Sequence, residues 1–223
     1  MDGLEDDALM RALGQLCRKG TRVLRYPREV REVVTRLFED PADPSSVIRF
    51  HDGASVPKDA YYGRGTTDAD RWSLDHIWPK AFGFKDHRGV ISDLHNIAIA
   101  DFTHNARRGA GLYYDRRLDH LARDVEIAPQ RYFDPRGVIA RACLYMTCRY
   151  QGDGGDPRLE LDEREHVRGE NHIGSRETLL LWNKLAPVTR EERRRNDIIA
   201  ETQGNRNPFV DRPSFADLIW FPV

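Results

Sequence analysis

The stretch SLDHIWPKAFG, residues 73–83, sets a carboxylate directly beside an imidazole, Asp75 and His76. Imidazole titrates near neutral pH and can take a proton from a water molecule. A carboxylate next to it can hold a hard divalent cation. The dipeptide alone carries little weight in a chain with eight histidines, where such a pair is more often the hydrogen-bonding end of a strand. The residues that follow strengthen the chemical reading. SDLHNIAIAD and FTHNARRG supply a second apolar run, then Asn105 and Arg108 on a short helical segment.

The resulting order is strand, long connection, strand, helix, with a histidine closing the first strand and an asparagine on the helix. That is the layout of a ββα-metal finger, an arrangement for hydrolysing phosphodiesters. Asp75 and the side-chain oxygen of Asn105 would hold Mg²⁺, which prefers oxygen ligands and keeps several waters, with Mn²⁺ as the alternative ion. His76 is left as the general base, and an unperturbed imidazole predicts activity rising through about pH 6 to 7. One geometric demand follows. Adjacent strand residues face opposite sides, so the strand must end or bend at His76, and Pro79 makes that feasible.

The elements that would position these groups can be traced along the chain. Residues 4 to 18 read as a helix with Leu9, Ala12, Leu13 and Leu16 near one stripe. Pro27 opens a second helix to about Glu39, with Val30, Val33, Val34 and Leu37 inward. EDPADPSS ends it, and residues 51 to 70 read as loop. WSLDHI and LHNIAIA read as the two strands, and Asp101 as the cap of the helix carrying Asn105. RGVIARACLYMTCRYQG is a helix stopped by Gly152, with Ile139, Cys143, Met146 and Tyr150 near one face. ETLLLWNKLAP is another. VTREERRRNDIIAETQGN shows a capping box, Thr189 with Glu192, and a terminal Gly204. NPFVDRP then runs extended to the end. The class is α+β, a mostly helical single domain, residues 1–223, around a short antiparallel hairpin plus helix.

Composition bounds the function loosely. The formal net charge of −1 over 223 residues favours no partner by itself, although base is clustered at Arg107-Arg108, Arg116-Arg117 and Arg193 to Arg195. Three cysteines without a CxxC make a disulfide framework or zinc knuckle unexpected. The start is acidic where a signal peptide would be basic, and no apolar run reaches membrane-spanning length, so a cytoplasmic protein without a membrane partner is expected.

Several segments together resemble the bacterial endonuclease I family of ββα-metal, HNH-like nucleases. They are DHIWP, SDLHNIAIADFTHNARRG, RGVIARACLYMTCRY and LLLWNKLAPVTREERRRNDIIAETQGNRNPFVDRP, in the family's order, and QGNRNPF is the most specific of them. The resemblance covers about Trp72 to Pro213; residues 1 to 60, a helical N-terminal part, match nothing recognised. It implies a weakly sequence-specific, Mg²⁺-dependent endonuclease acting on DNA, and on RNA as the alternative, leaving 5′-phosphate and 3′-hydroxyl ends. His76 would be the base, with Asp75 and Asn105 on the ion. The family usually has Glu where this chain has Asp75, and a second Asn where it has Ala110. Those departures keep a second hypothesis open, a catalytically degenerate nucleic-acid-binding module. A nuclease free in the cytosol also implies control by an inhibitor or activating partner.

The remaining candidates divide in the same way. Asn96 either braces the loop carrying His76 or makes an ordinary strand-start hydrogen bond. Arg108, one turn past Asn105, would contact a phosphate. Lys80, Lys85 and Arg88 lie in the loop between the strands as transition-state candidates. His95 reads as core, and His104 as a substitute ligand at best. Arg141, Tyr145 and Arg149 share a helical face that could track a phosphate backbone or make structural ion pairs.

Overall fold

The computed structural model describes residues 6–62, 71–111, 113–114, 125–126, 132–163 and 169–221. The Arg116-Arg117 cluster and the acidic residues Asp2 and Glu5 lie outside them. The chain begins with helix α1 (Asp6–Arg18) and helix α2 (Arg28–Leu37). A small antiparallel sheet follows, β1 (Glu39–Asp40), β2 (Asp43–Ile48) and β3 (Ser55–Pro57). Next come β4 (Trp72–His76), a short helix α3 (Arg88–Ile91), a 3₁₀ turn over Leu94–Asn96, β5 (Ile97–Asp101) and helix α4 (Phe102–Arg108). Two short parallel pairs are β6 (Tyr113–Tyr114) with β7 (Val125–Glu126), and β8 (Glu160–Leu161) with β9 (His172–Ile173). Between them runs α5 (Pro135–Arg149), and after them α6 (Arg176–Leu185), α7 (Arg190–Gln203), α8 (Pro208–Asp211) and α9 (Phe215–Trp220). Among the described residues no helix is long and apolar enough to cross a membrane.

The architecture is mixed α and β, as expected, and the central elements fall where the sequence puts them. All four inward residues assigned to α2 are buried. On α1 the buried stripe is Leu9, Leu13, Gly14 and Cys17, while Leu16 is exposed. The small β1–β2–β3 sheet occupies a stretch read as helix end and loop; its Asp and Pro content hides the strands. NPFVDRP is not extended. Asn207 caps α8 by accepting from the Phe209 amide, and α9 follows. Helices of four and six residues are too short to display a 3.6-residue period.

Helix α5 is buried on nearly every side. Its Arg141–Tyr145–Arg149 stripe is therefore structural. Arg141 donates to both carboxylate oxygens of Glu192 at 2.6 and 2.7 Å, Tyr145 donates to Asp93, and Arg149 pairs with Asp156. Glu192 is thereby drawn away from the capping box. Thr189 still accepts from the Glu192 amide, but the Glu192 carboxylate serves α5. Nor are Arg193 to Arg195 all solvated. Arg195 is buried, with its guanidinium over the Phe38 and Phe133 rings at 5.0 and 4.8 Å.

The QGNRNPF segment ties the C-terminal helices to the turn before β5. Gln203 accepts from the Leu94 amide and donates to Asp93, while Asn205 donates to the Cys17 carbonyl and to Tyr145. His95 is core, its Nε2 3.2 Å from the Asn205 carbonyl, and burial holds its imidazole below the ordinary histidine range. The folded chain therefore keeps His95 neutral, and the unfolded chain takes up a proton there below about pH 6.5. Stability from this group is full above that pH and is lost as the pH falls below it. Between pH 7.5 and 5.5 the urea midpoint of His95→Gln should drop less than that of the wild type. Equal drops would mean that His95 takes its proton without opening the fold.

Candidate active site

Strands β4 and β5 pair antiparallel in a continuous register, from Trp72 opposite Asp101 to His76 opposite Ile97. Asp101 ends β5 and also caps α4, its Oδ1 accepting from the His104 amide at 2.8 Å while Oδ2 takes Arg49 at 2.8 Å. No loop residue separates the strand from the helix, so α4 returns directly across the hairpin. Phe102, Asn105 and Ala106 of α4 follow helical spacing, and with Gly109 and Ala110 of the turn after it they line a cavity of about 520 Å³ together with Asp75, His76, Lys80 and Lys85.

The adjacent Asp75 and His76 reach one cavity because β4 stops at His76. Two groups enforce the stop. Asn96 is fully buried; its Oδ1 accepts from the Trp78 amide at 2.7 Å and its Nδ2 donates to the Trp78 carbonyl at 3.1 Å. The Ile77 amide still donates to the Asn96 backbone carbonyl, and from Trp78 on the backbone is paired to the Asn96 side chain. Asn96 is not among the residues that line the cavity, and its side chain holds the backbone after His76. Of the two readings open for it, a brace for the loop carrying His76 and an ordinary strand-start hydrogen bond, these contacts favour the brace.

Arg108 is the second clamp. It does not line the cavity, and the expected phosphate contact is not what the structure places there. Its guanidinium donates to Asp75 Oδ1 at 2.6 Å, to the His76 carbonyl at 3.3 and 3.4 Å, and to the Ile77 carbonyl at 2.8 Å. One planar fork thereby grips three consecutive residues at the strand exit. The two side chains of this pair are 1% and 3% exposed, so both charges are almost wholly withdrawn from bulk solvent.

His76 is oriented by a carbonyl. Its Nε2 lies 2.8 Å from the Ile91 carbonyl oxygen, which can only accept. Nε2 therefore carries the ring proton, and Nδ1 is left with the lone pair. Burial pushes this imidazole down to about 4, against the unperturbed value on which the pH 6 to 7 expectation rests. Asn105 is oriented by the same logic. Its Nδ2 donates to Ser73 Oγ at 3.0 Å and to the Leu74 carbonyl at 3.2 Å, which directs the amide oxygen away from the strand.

Two further histidines adjoin Asp75. His51, just after Phe50 in the turn beyond β2, stacks on His104 with ring centroids 4.0 Å apart. Its Nε2 lies 3.8 Å from Asp75 Oδ2. Burial pushes His51 down to about 2 and lowers His104 as well, so both are neutral and the contact is no ion pair. The sequence gives no hint of His51, because the contact depends on how the first sheet packs against the hairpin. Arg88 begins α3 and is not among the cavity residues, whereas Lys80 and Lys85 are. Among the described residues, no cluster of three or more His, Cys, Asp or Glu side chains could hold a metal ion.

Known proteins match the chain over most of its length. The family model described as Endonuclease I matches residues 43–214. An extracellular ribonuclease of Bacillus subtilis (strain 168) is 35% identical over 98% of this chain and 76% of its own length. An extracellular ribonuclease of Bacillus amyloliquefaciens is 35% identical over 98% of this chain and 75% of its own. Endonuclease-1 of Buchnera aphidicola subsp. Acyrthosiphon pisum (strain APS) is 30% identical over 56% of this chain and 47% of its own length. The match begins at residue 43, so it extends over β2 and β3, well before the Trp72 at which the recognisable motifs begin.

The Arg108–Asp75 clamp has a measurable signature. Removing one partner of a buried ion pair leaves the other charge uncompensated, at a cost of about 3–5 kcal/mol. Arg108→Met should lose stability on that scale in urea unfolding. The Arg108→Met, Asp75→Asn double variant should lose less than Arg108→Met alone, because no unpaired charge remains. Additive losses around the cycle would mean the two side chains are not coupled.

Proposed function

The chain belongs to the endonuclease I family, a family of hydrolases acting on phosphodiester bonds, and from that premise we propose a Mg²⁺-dependent endonuclease that cuts DNA and RNA with little sequence specificity. The hairpin of β4 and β5 with α4 is its ββα-metal finger. The observation that carries the reading is the tautomer of His76, fixed by the Ile91 carbonyl so that Nδ1 is a proton acceptor in the cavity that Asp75 and Asn105 also line.

The donor set fits a hydrated hard cation. Asp75 offers a carboxylate, and Asn105 an amide oxygen that no described residue occupies as a donor. Two protein oxygens suffice for Mg²⁺, which keeps its remaining waters, and Mn²⁺ can take the same ligands. When bound there, the ion would supply positive charge against the phosphate and the leaving oxygen.

The protein's own groups divide the remaining work. His76 Nδ1 takes the proton of the attacking water. The water oxygen bonds to phosphorus as the P–O bond to the 3′ oxygen breaks. The departing oxygen takes a proton from a water molecule, leaving a 5′-phosphate and a 3′-hydroxyl, and His76 then returns its proton to solvent. Water is the nucleophile, so no ribose 2′-hydroxyl is needed and both nucleic acids are cut. Lys80 and Lys85 bring positive charge to the cavity wall, where it meets the backbone phosphates. Arg108 and Asn96 hold the strand exit in place.

A second reading, binding without cutting, has one observation in its favour. Arg108 already supplies Asp75 with the positive charge that an ion would bring. One experiment separates the two readings. Wild type and His76→Ala are incubated with supercoiled plasmid and with a single-stranded RNA, in Mg²⁺ and in EDTA. Wild type should cut both in Mg²⁺ and neither in EDTA, and His76→Ala should be slower by roughly 10²–10⁴-fold. Product ends should be 5′-phosphate on both substrates. Retained plasmid binding with no cutting by the wild type would favour the second reading.

A further inference from the structure

An aromatic shelf stands at one end of the cavity, and the proposed phosphate chemistry leaves it unused. Phe102 is the first residue of α4 and lines the cavity. Tyr62 lies flat on it, with ring centroids 3.5 Å apart and an interplanar angle of 12°. Tyr62 is nevertheless 43% exposed. A large aromatic ring that packs on an aromatic neighbour and still meets solvent is a surface onto which another flat group can stack.

The pair is mounted rigidly. The Tyr62 amide donates to the Trp72 carbonyl at 2.9 Å, and the Phe102 amide donates to the Arg71 carbonyl at 2.8 Å. Both rings are therefore hung from consecutive residues at the start of β4, the strand whose other end carries Asp75 and His76. Phe102 and Asn105 are three residues apart on one helical face, so their side chains are neighbours, about 5–6 Å apart at Cβ. The cavity wall beyond Asn105 includes Ala106 of α4 and Gly109 and Ala110 of the turn after it, which offer no bulk or charge to obstruct a strand.

We propose that the Tyr62–Phe102 stack is a nucleobase subsite, which takes one unpaired base of the nucleotide next to the scissile phosphate and so favours single-stranded nucleic acid. The proposal rests on the nuclease reading of the cavity and deepens it. The physical reason for the strand preference is access. A base inside a duplex has both faces covered by its neighbours, whereas a base in a single strand can splay onto an aromatic ring. Stacking of this kind accepts every base, because each has a π face, and it does not read the 2′-hydroxyl. RNA and DNA single strands should therefore both use it.

The test is equilibrium binding in EDTA at fixed salt, which needs no catalysis. Fluorescein-labelled single-stranded RNA, single-stranded DNA and a perfect DNA duplex are titrated with wild type, Tyr62→Ala and Tyr62→Phe. Tyr62→Ala should weaken binding of both single strands by roughly 5- to 100-fold and leave duplex binding within about twofold. Tyr62→Phe should bind like the wild type. A single strand made of abasic nucleotides should bind the wild type and Tyr62→Ala equally. No loss in Tyr62→Ala, or equal losses on single strand and duplex, overturns the subsite. The result is separable from the nuclease reading: wild type that cuts normally without this binding split sinks only the subsite, and the split without cutting sinks only the nuclease.

Discussion

The carboxylate of Asp93 is the point on which the arrangement of the cavity depends. It is buried and accepts four hydrogen bonds: from the His95 amide and Gln203 on one oxygen, and from the Tyr145 and Tyr150 hydroxyls on the other. Those donors come from the turn itself, from α5 and from the end of α7. The turn so fixed presents Ile91 O on one side, Asn96 in the middle and β5 on the other. Ile91 sets the His76 tautomer, Asn96 holds the backbone after His76, and β5 sets the register of Asp75. The reactive residues are thus positioned from behind by groups far away in sequence. Buried polar groups are expensive unless they are satisfied, and when satisfied they specify one arrangement; this turn uses that asymmetry. The same rule describes Arg141 with Glu192 and Arg108 with Asp75, buried ion pairs that hold α7 against α5 and α4 against β4.

Much of the site was legible because its signals are local. The apolar alternation of β4, the capping aspartate at 101, the spacing of Asn105 and Arg108 and the specific QGNRNPF string all lie within short windows. For Asn96 the local signal, an asparagine following a histidine just before β5, leaves two readings open, a brace for the His76 loop and an ordinary strand-start hydrogen bond. What could not be read depends on contacts between distant segments. Arg108 was expected to face phosphate, and only the packing of α4 on the hairpin turns its guanidinium to Asp75 and the strand exit. His51 arrives from a different sheet. The pH expectation for His76 used an unperturbed imidazole, because burial is a property of the assembled fold. The missed β1–β3 sheet and the short α8 and α9 have a different cause: they offer too few residues to establish any period, and their Asp and Pro content imitates loop.

The positive charge of the cavity is divided between two jobs. Arg108 is spent internally, on a carboxylate and two carbonyls, and it serves geometry. Lys80 and Lys85 stay on the wall, as point charges on flexible stems. The planar side chain is used where three acceptors must be held at once. The clusters visible in the sequence do not reveal this division, since Arg107-Arg108 looks as free as any other basic pair.

The direct passage from β5 into α4 through Asp101 has a consequence for how lineages of this fold can vary. A helix turns by ~100° per residue, so one residue inserted between Asp101 and Phe102 would rotate both Phe102 and Asn105 away from the cavity. No slack segment is present there to absorb the change. The stretch between His76 and Asp93 is different, because its ends are pinned separately by Arg108, Asn96 and Asp93. Length variation among relatives should therefore accumulate in that connection and be purged at the strand–helix junction. The junction acts as the fixed phase of the site, and the connection as its free length.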